Sequence, residues 1–289
     1  MYSITPFIGP SDASFTLLHT SSYVAALFSL TLRSTTETSA VGTLYAIPVI
    51  FPLSDGITSA TAFAAPVVVG IMLPKEALPV LQSFMFRYEA SVGGGIPILN
   101  AITTVLKANK YEEVLGILNG TTNYILTQMT DYGLEYDDVL KIAQEKGFAE
   151  ADPTADVEGI DCANKLSILM ALTFGNYVPP TEIPREGISG ITKQNIKNAK
   201  AKGCKIKLIS SAKKVGDHIE YSVKPMELPD SHPLASVSNE FNAIFIKGNA
   251  VGELMFYGKG AGPLPTGSAI MGDVLEIAKI YGAHGSSPS

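Results

Sequence analysis

At 289 residues, with 46% hydrophobic and 17% charged side chains, the chain can form one large or two ordinary domains around a sizeable core. A formal charge of −6 with no basic run excludes a binder of phosphate backbones, so no nucleic-acid partner is expected. Two cysteines outside any CxxC spacing and only four histidines argue against a disulfide frame, a zinc site or a histidine-centred mechanism, and fit a reduced cytoplasmic compartment.

Residues 1–72 differ in kind from the rest. They hold only Asp12, Arg33, Glu37 and Asp55 of the 48 charged residues, and prolines at Pro48, Pro52 and Pro66 break the apolar runs. No G-x-G-x-x-G occurs there; Phe7-Ile8-Gly9-Pro10 offers one glycine where a dinucleotide turn needs three. Three readings stand. The segment is foreign to the fold (a wrong reading frame or a mis-joined gene), or it is a diverged remnant of a nucleotide domain with Val67–Met72 as a buried parallel strand, or it is a targeting or membrane segment. The third is the weakest: the run Ala62–Leu73 is short of a span of about 20 residues, and no membrane partner is expected.

From Pro74 onward the patterning becomes regular. KEALPVLQSFM reads as a helix and FRYEASV as a strand, followed by Gly93-Gly94-Gly95, whose plainest use is a tight turn. PILNAITTVLKA reads as a helix, EEVLGILNG as a strand entering Asn119-Gly120-Thr121-Thr122-Asn123, and YILTQMTDYG as the next helix. LEYDDVLKIAQEK predicts a helix stopping at Gly147, a residue suited to a left-handed C′ position. A polar loop with Pro153 follows, then a helix starting near Asp156 as N-cap, which places Asp161 and Lys165 on one face. An Asp–Lys pair at i, i+4 is by itself an ordinary solvated pair contributing about 0.2–0.5 kcal/mol. Further on come a loop over 178–192, a short helix over 195–202, and strands CKIKLISSAKK, HIEYSVKPMEL and NAIFIKG. A glycine-rich turn, GKGAGPLPT, then leads into the helix GSAIMGDVLEIAKI. The expected fold class is α/β, an open mixed sheet covered by helices. Its expected segments are 1–72 as an atypical piece in the place of a nucleotide-binding domain, 73–282 as the main domain, and 283–289 as a disordered tail.

The string AQEKGFAEADPTADVEGIDCANK over 143–165 is rich in carboxylates, and its Glu150, Asp156 and Asp161 fall within twelve positions. Its Ala143, Gly147, Phe148, Asp152, Pro153, Asp156, Val157, Gly159, Asp161 and Lys165 resemble the signature of homoserine dehydrogenase position for position. YEASVGGGIPI at 88–98, LNGTTNYIL at 118–126, GITKQNI at 190–196 and the stretch 241–274 resemble the same family in the same order. The resemblance runs from about Arg87 to Gly282. It implies NADPH- or NADH-dependent interconversion of L-aspartate 4-semialdehyde and L-homoserine, as in threonine, methionine and isoleucine biosynthesis, by a homodimer acting on a small-molecule substrate. By the same resemblance Lys165 and Asp161 are catalytic, and Glu150, Asp156, Asp161 and Thr121 bind substrate. Gly147, Gly260 and Gly262 meet NADP or NAD. Glu89, with the backbone carbonyls of Val92, Gly94 and Ile96, forms a Na⁺ or K⁺ site of the oxygen-only kind that suits a hard cation. For Lys165 to give up its proton, its pKa is expected to be lowered by desolvation or a neighbouring cation. Lys107, in an Ala-Asn-Lys context, lies on the wrong side of Glu89 for the family's other lysine and reads as a solvated helix end. A catalytically inactive, dimerising shell without a cofactor site is the alternative.

Overall fold

The computed structural model describes residues 86–284 continuously and, before them, the backbone of five strands: β1 (Ser14–Thr20), β2 (Tyr23–Thr31), β3 (Thr43–Ala46), β4 (Ile50–Pro52) and β5 (Val69–Met72). The helix expected over 75–85, the tail beyond 284 and most of 1–72 lie outside the described residues. The chain divides into two compact units, residues 1–58, 65–88 and 270–289 forming one, and 59–64 with 89–269 the other.

In the first unit the strands are ordered β1-β2-β3-β5-β6, where β6 is Phe86–Arg87 and β4 pairs with β2. Every ladder is antiparallel, including those of β5 with β3 and with β6. Val69–Met72, the described part of the Val67–Met72 run expected as a parallel strand, is antiparallel to both of its neighbours instead. Arg87 Nε donates to Glu276 Oε2 at 2.9 Å within this unit.

The second unit holds the expected open sheet, ordered β11-β10-β7-β8-β9, with helices on it. Its strands are β7 (Tyr111–Ile117), β8 (Cys204–Val215), β9 (His218–Pro229), β10 (Phe241–Gly248) and β11 (Gly252–Lys259). All four ladders are antiparallel, and the parallel component is a lone bridge of Arg185 to Val223. β7 lies at the centre, and its last four residues are buried, as its continuous Val-Leu-Gly-Ile run requires. β11 has no counterpart among the sequence expectations. Its alternating exposure (Glu253 and Met255 against Leu254 and Phe256) is the period-2 signal that marks it.

The helices are α1 (Ile98–Thr103), α2 (Gly120–Tyr132), α3 (Tyr136–Glu145), α4 (Thr154–Val157), α5 (Ile160–Phe174), α6 (Lys193–Ala201) and α7 (Pro263–His284). α2 and α5 pack on the sheet and bury Ile125, Leu126, Met129, Leu166, Leu169 and Met170. Each such side chain contributes about 1.5–3 kcal/mol by leaving water. Leu115, Ile117, Ile209, Leu228 and Phe245 form a further cluster with Leu234 and Val237 of the turn before β10.

Several ends differ from the sequence reading. The expected 86–92 strand stops at Arg87 and gives way to a 3₁₀ turn at Glu89–Ser91. α1 ends at Thr103, five residues early, because the hydroxyls of Thr103 and Thr104 bond back to the carbonyls of Leu99 and Asn100 at 2.8 and 2.5 Å. α6 starts two residues early because Thr192 and Asn195 close a capping box. The helix expected to start at Asp156 is two helices: Asp156 lies inside α4, and Gly159, left-handed at φ 74°, caps α5. A glycine tolerates that φ at no steric cost, which is why the break falls there.

One buried cation sits under α2. Lys207 Nζ on β8 donates to Asn123 Oδ1 at 3.0 Å and to the Val237 carbonyl at 2.6 Å, with no carboxylate partner among the described residues. Burial, then the charge of Lys205, pull its pKa down to about 8 against the opposing Asp131. Asn123 Nδ2 in turn donates to the carbonyls of Asn239 and Phe241, tying the segment before β10 to α2.

Candidate active site

The central strand β7 runs out at Ile117 into Leu118 and Asn119, and the site is built around that exit. Asn119 is extended (φ −128°, ψ 119°) and caps α2, its Oδ1 accepting from Thr122 N at 2.9 Å. Its Nδ2 donates to Asp156 Oδ1 at 2.7 Å and to Asp161 Oδ2 at 3.0 Å. Asp161 stands in the first turn of α5, where the exposed N–H groups favour a negative charge. One turn on, Lys165 Nζ donates to Asp161 Oδ2 at 2.7 Å and to the Leu118 carbonyl at 3.0 Å. The pair is largely enclosed, at 16% and 8% side-chain exposure, so it is no solvated surface pair.

The order of the chain Asp156–Asn119–Asp161–Lys165 sets the electrostatics. Burial raises the Asp156 pKa, the Asp161 charge adds to that, and the Asn119 and Thr121 hydrogen bonds work against it. For Lys165, burial acts to lower the pKa, but the Asp161 charge and hydrogen bond outweigh it and the net shift is upward. The expectation of a lowered Lys165 pKa is corrected in this ligand-free site. The ammonium is held protonated, the form that can donate a proton. Cys162, beside Asp161, is driven up to about 12 by burial first and then by that carboxylate, which removes it as a nucleophile.

The other predicted residues fall around this core to different degrees. Thr121, in the first turn of α2, donates its hydroxyl hydrogen to the Phe148 carbonyl at 2.5 Å and so pins the 147–150 loop. Gln144 Nε2 holds the same loop through the Glu150 carbonyl at 3.0 Å, and the Tyr124 and Phe148 rings pack tilted at 44° with centroids 4.8 Å apart. The Glu150 side chain itself is exposed and makes no hydrogen bond or ion pair among the described residues. Gly147 follows the end of α3 with φ 75°, as its C′ reading requires, and a Cβ there would meet nothing within 4 Å.

Glu89, Gly94 and Ile96 lie at a second place in the same unit, with Gly260 and Gly262. Both oxygens of Glu89 cap the short α1, accepting from Leu99 N at 2.9 Å and Asn100 N at 2.7 Å, a role the sequence reading did not give it. Gly93 and Gly94 have φ of 75° and 54°, forming the tight turn expected of the glycine triplet. Gly95 N donates to the Lys259 carbonyl at 3.1 Å, so this turn is strapped to the one at 258–262. A Cβ on Gly94 would collide with the Gly260 carbonyl, and one on Gly260 would overlap the buried amide of Asn242. Glycine at 260 is thus required by packing within the chain. Lys107 is exposed beyond α1, as expected.

Asn119 and the Leu118 carbonyl are the parts of the site that the sequence reading missed. The Asn-Gly-Thr-Thr-Asn turn was visible as capping chemistry, but nothing local to it shows that the cap also holds two distant aspartates.

With this arrangement in view, the comparisons are specific. The family model for homoserine dehydrogenase matches residues 97–275, which contain every one of these groups except Glu89, Val92, Gly94 and Ile96. The chain belongs to the homoserine dehydrogenase family. It is 49% identical over 192 residues to the homoserine dehydrogenase of Bacillus subtilis, covering 66% of this chain and 44% of that protein. The crystal structure of a homoserine dehydrogenase from Thiobacillus denitrificans superposes with a TM-score of 0.66 at 44% identity, over 70% of this chain and 47% of that one. A hyperthermophilic archaeal homoserine dehydrogenase mutant in complex with NADPH aligns with a TM-score of 0.56 at 30% identity, over 65% and 54% of the two chains. The chain spans about half the length of the curated relatives it matches. Among the described residues no helix is long and apolar enough to cross a membrane.

Proposed function

We propose that this chain carries the substrate site of an NAD(P)-dependent homoserine dehydrogenase, an oxidoreductase interconverting L-aspartate 4-semialdehyde and L-homoserine in amino-acid biosynthesis. The observation that carries the reading is the hydrogen-bonded chain from Asp156 through Asn119 and Asp161 to Lys165. The family membership supports it over an inactive shell.

The residue types match the chemistry. An aldehyde oxygen that gains negative charge on reduction needs a proton, and the largely enclosed Lys165 Nζ holds one. Asp161 aims that ammonium from one side and the Leu118 carbonyl from the other. A substrate ammonium needs a carboxylate, and Glu150 on the pinned loop supplies one, with Asp156 completing the polar wall. A substrate cation close to Lys165 would also bring its pKa back down toward neutrality.

The nicotinamide end of NADP or NAD fits beside Gly147, where the backbone lies open and a side chain would be strained. When bound, the cofactor supplies or takes the hydride. Gly260 and Gly262 present a second backbone edge to it, Gly262 at φ 113°. Glu89, Val92, Gly94 and Ile96 offer a carboxylate and carbonyls without nitrogen or sulfur, a donor set that suits Na⁺ or K⁺. A homodimer in the cytoplasm completes the reading.

NADPH fluorescence on the purified chain, followed by NADP-coupled oxidation of L-homoserine, tests it. The expected result is cofactor binding and turnover. Absence of NADPH binding up to millimolar concentration would leave the inactive shell as the correct description.

A further inference from the structure

Asn119 uses one amide group for three separate tasks. Its Oδ1 accepts from Thr122 N at 2.9 Å and from Thr122 Oγ1 at 3.2 Å. A backbone N–H at a helix start needs an acceptor, so the cap decides which end of the amide is oxygen. Nδ2 then faces away from α2 and spends both of its hydrogens on carboxylates, one from α4 and one from α5. The residue is buried, and its hydrogen-bonding capacity is filled.

Two carboxylates brought to one nitrogen repel each other, and without a donor between them one would take up a proton. Lys165 neutralises Asp161 through Oδ2, but no hydrogen bond joins it to Asp156. Asp156 has Asn119 as its strongest charge-stabilising donor, with Thr121 second and Lys165 nearby, against burial and the neighbouring Asp161.

We propose that Asn119 is a positioning residue that keeps Asp156 and Asp161 charged together on one amide, so that the pocket presents two fixed negative charges. One faces Lys165; the other is left for a cationic group of the ligand. The ligand assignment rests on the reading above, in which that group is the substrate ammonium. Asn119 acts through the two aspartates, its own hydrogen-bonding groups being filled within the chain.

The test uses the full chain with ¹³C-labelled aspartate, comparing wild type with Asn119→Ser, which keeps a capping oxygen and removes both donated hydrogen bonds. Asp156 is expected to titrate at higher pH in the variant. L-homoserine binding at pH 7 is expected to weaken about tenfold or more, the loss of a charge-assisted hydrogen bond, and to recover as the pH rises. Asn119→Asp keeps the cap and adds a third carboxylate, so it is expected to move Asp156 further in the same direction. A purely structural Asn119 would lower the Tm and leave the Asp156 titration where it is, and that result overturns the proposal. If neither variant folds, the wild type still decides. The two Asn119 side-chain amide protons must shift with the Asp156 midpoint, and pH-independent shifts overturn the proposal. A wild type that behaves as described but does not bind L-homoserine removes the substrate reading and leaves the role of Asn119 standing.

Discussion

Lys165 and Glu150 differ in burial, and that difference fixes how each responds to removal. Lys165→Ala deletes the proposed proton donor, and turnover is expected to fall by about a hundredfold or more in the NADP-coupled assay. It also leaves Asp161, at 8% side-chain exposure, with Asn119 as its remaining donor, so chemical denaturation is expected to show a loss of about 3 kcal/mol. Glu150→Gln removes an exposed charge with no partner among the described residues, so stability is expected to stay within about 0.5 kcal/mol. The KM for L-homoserine is expected to rise while NADPH affinity holds; loss of cofactor affinity alone would take Glu150 out of the proposed substrate site. The Asp161–Lys165 pair was legible from its four-residue spacing, since a helix fixes what one turn apart means. Asn119 was not, because its two aspartates lie 37 and 42 residues further on and no periodicity carries that distance.

At the scale of elements, the turns decide more than the helices and strands they join. The turns at 93–95 and 258–262 meet through Gly94, Gly260 and Asn242 with no room for a methyl group. Gly260→Ala is expected to cost about 1–3 kcal/mol, read as a lowered denaturation midpoint, because Asn242 must leave its buried position. A Gly260→Ala protein as stable as wild type would show that the two turns do not need each other. The strands of the five-stranded sheet were legible from their apolar runs, apart from β11. Helix ends were not: α1 is cut short by threonine back-bonding, and the start of α5 is set by a left-handed glycine rather than by the aspartate that resembles a cap. The first is a competition between side-chain and backbone hydrogen bonds and the second a backbone φ that glycine adopts freely, and hydrophobic spacing reports neither.

For the whole molecule, the buried Lys207 links folding to pH. Its folded pKa of about 8 lies below the ordinary 10.5, so between those values the unfolded chain holds the proton and the folded chain does not. Stability therefore rises with pH across that window. The cost of enclosing the ammonium is present below it and is released above it, on the order of 3 kcal/mol in all. Denaturation of wild type and Lys207→Met at pH 7.5 and pH 10.5 checks this; the wild type should gain on the variant as pH rises. A constant difference would mean that Lys207 keeps its proton throughout.

The exit of β7 into Leu118 and Asn119 has a kinetic consequence. The carbonyl that holds Lys165 is that of Leu118, directly after the middle strand of the sheet, whereas the backbone that carries Glu150 is fastened by a threonine hydroxyl and a glutamine amide. Amide hydrogens from Val114 to Ile117 should exchange with deuterium only when the whole unit opens, and those from Phe148 to Ala151 through small local excursions. On the proposed assignment, slow exchange at the β7 exit together with fast exchange at the 148–151 loop would keep the lysine fixed while a small, charged ligand enters past the loop.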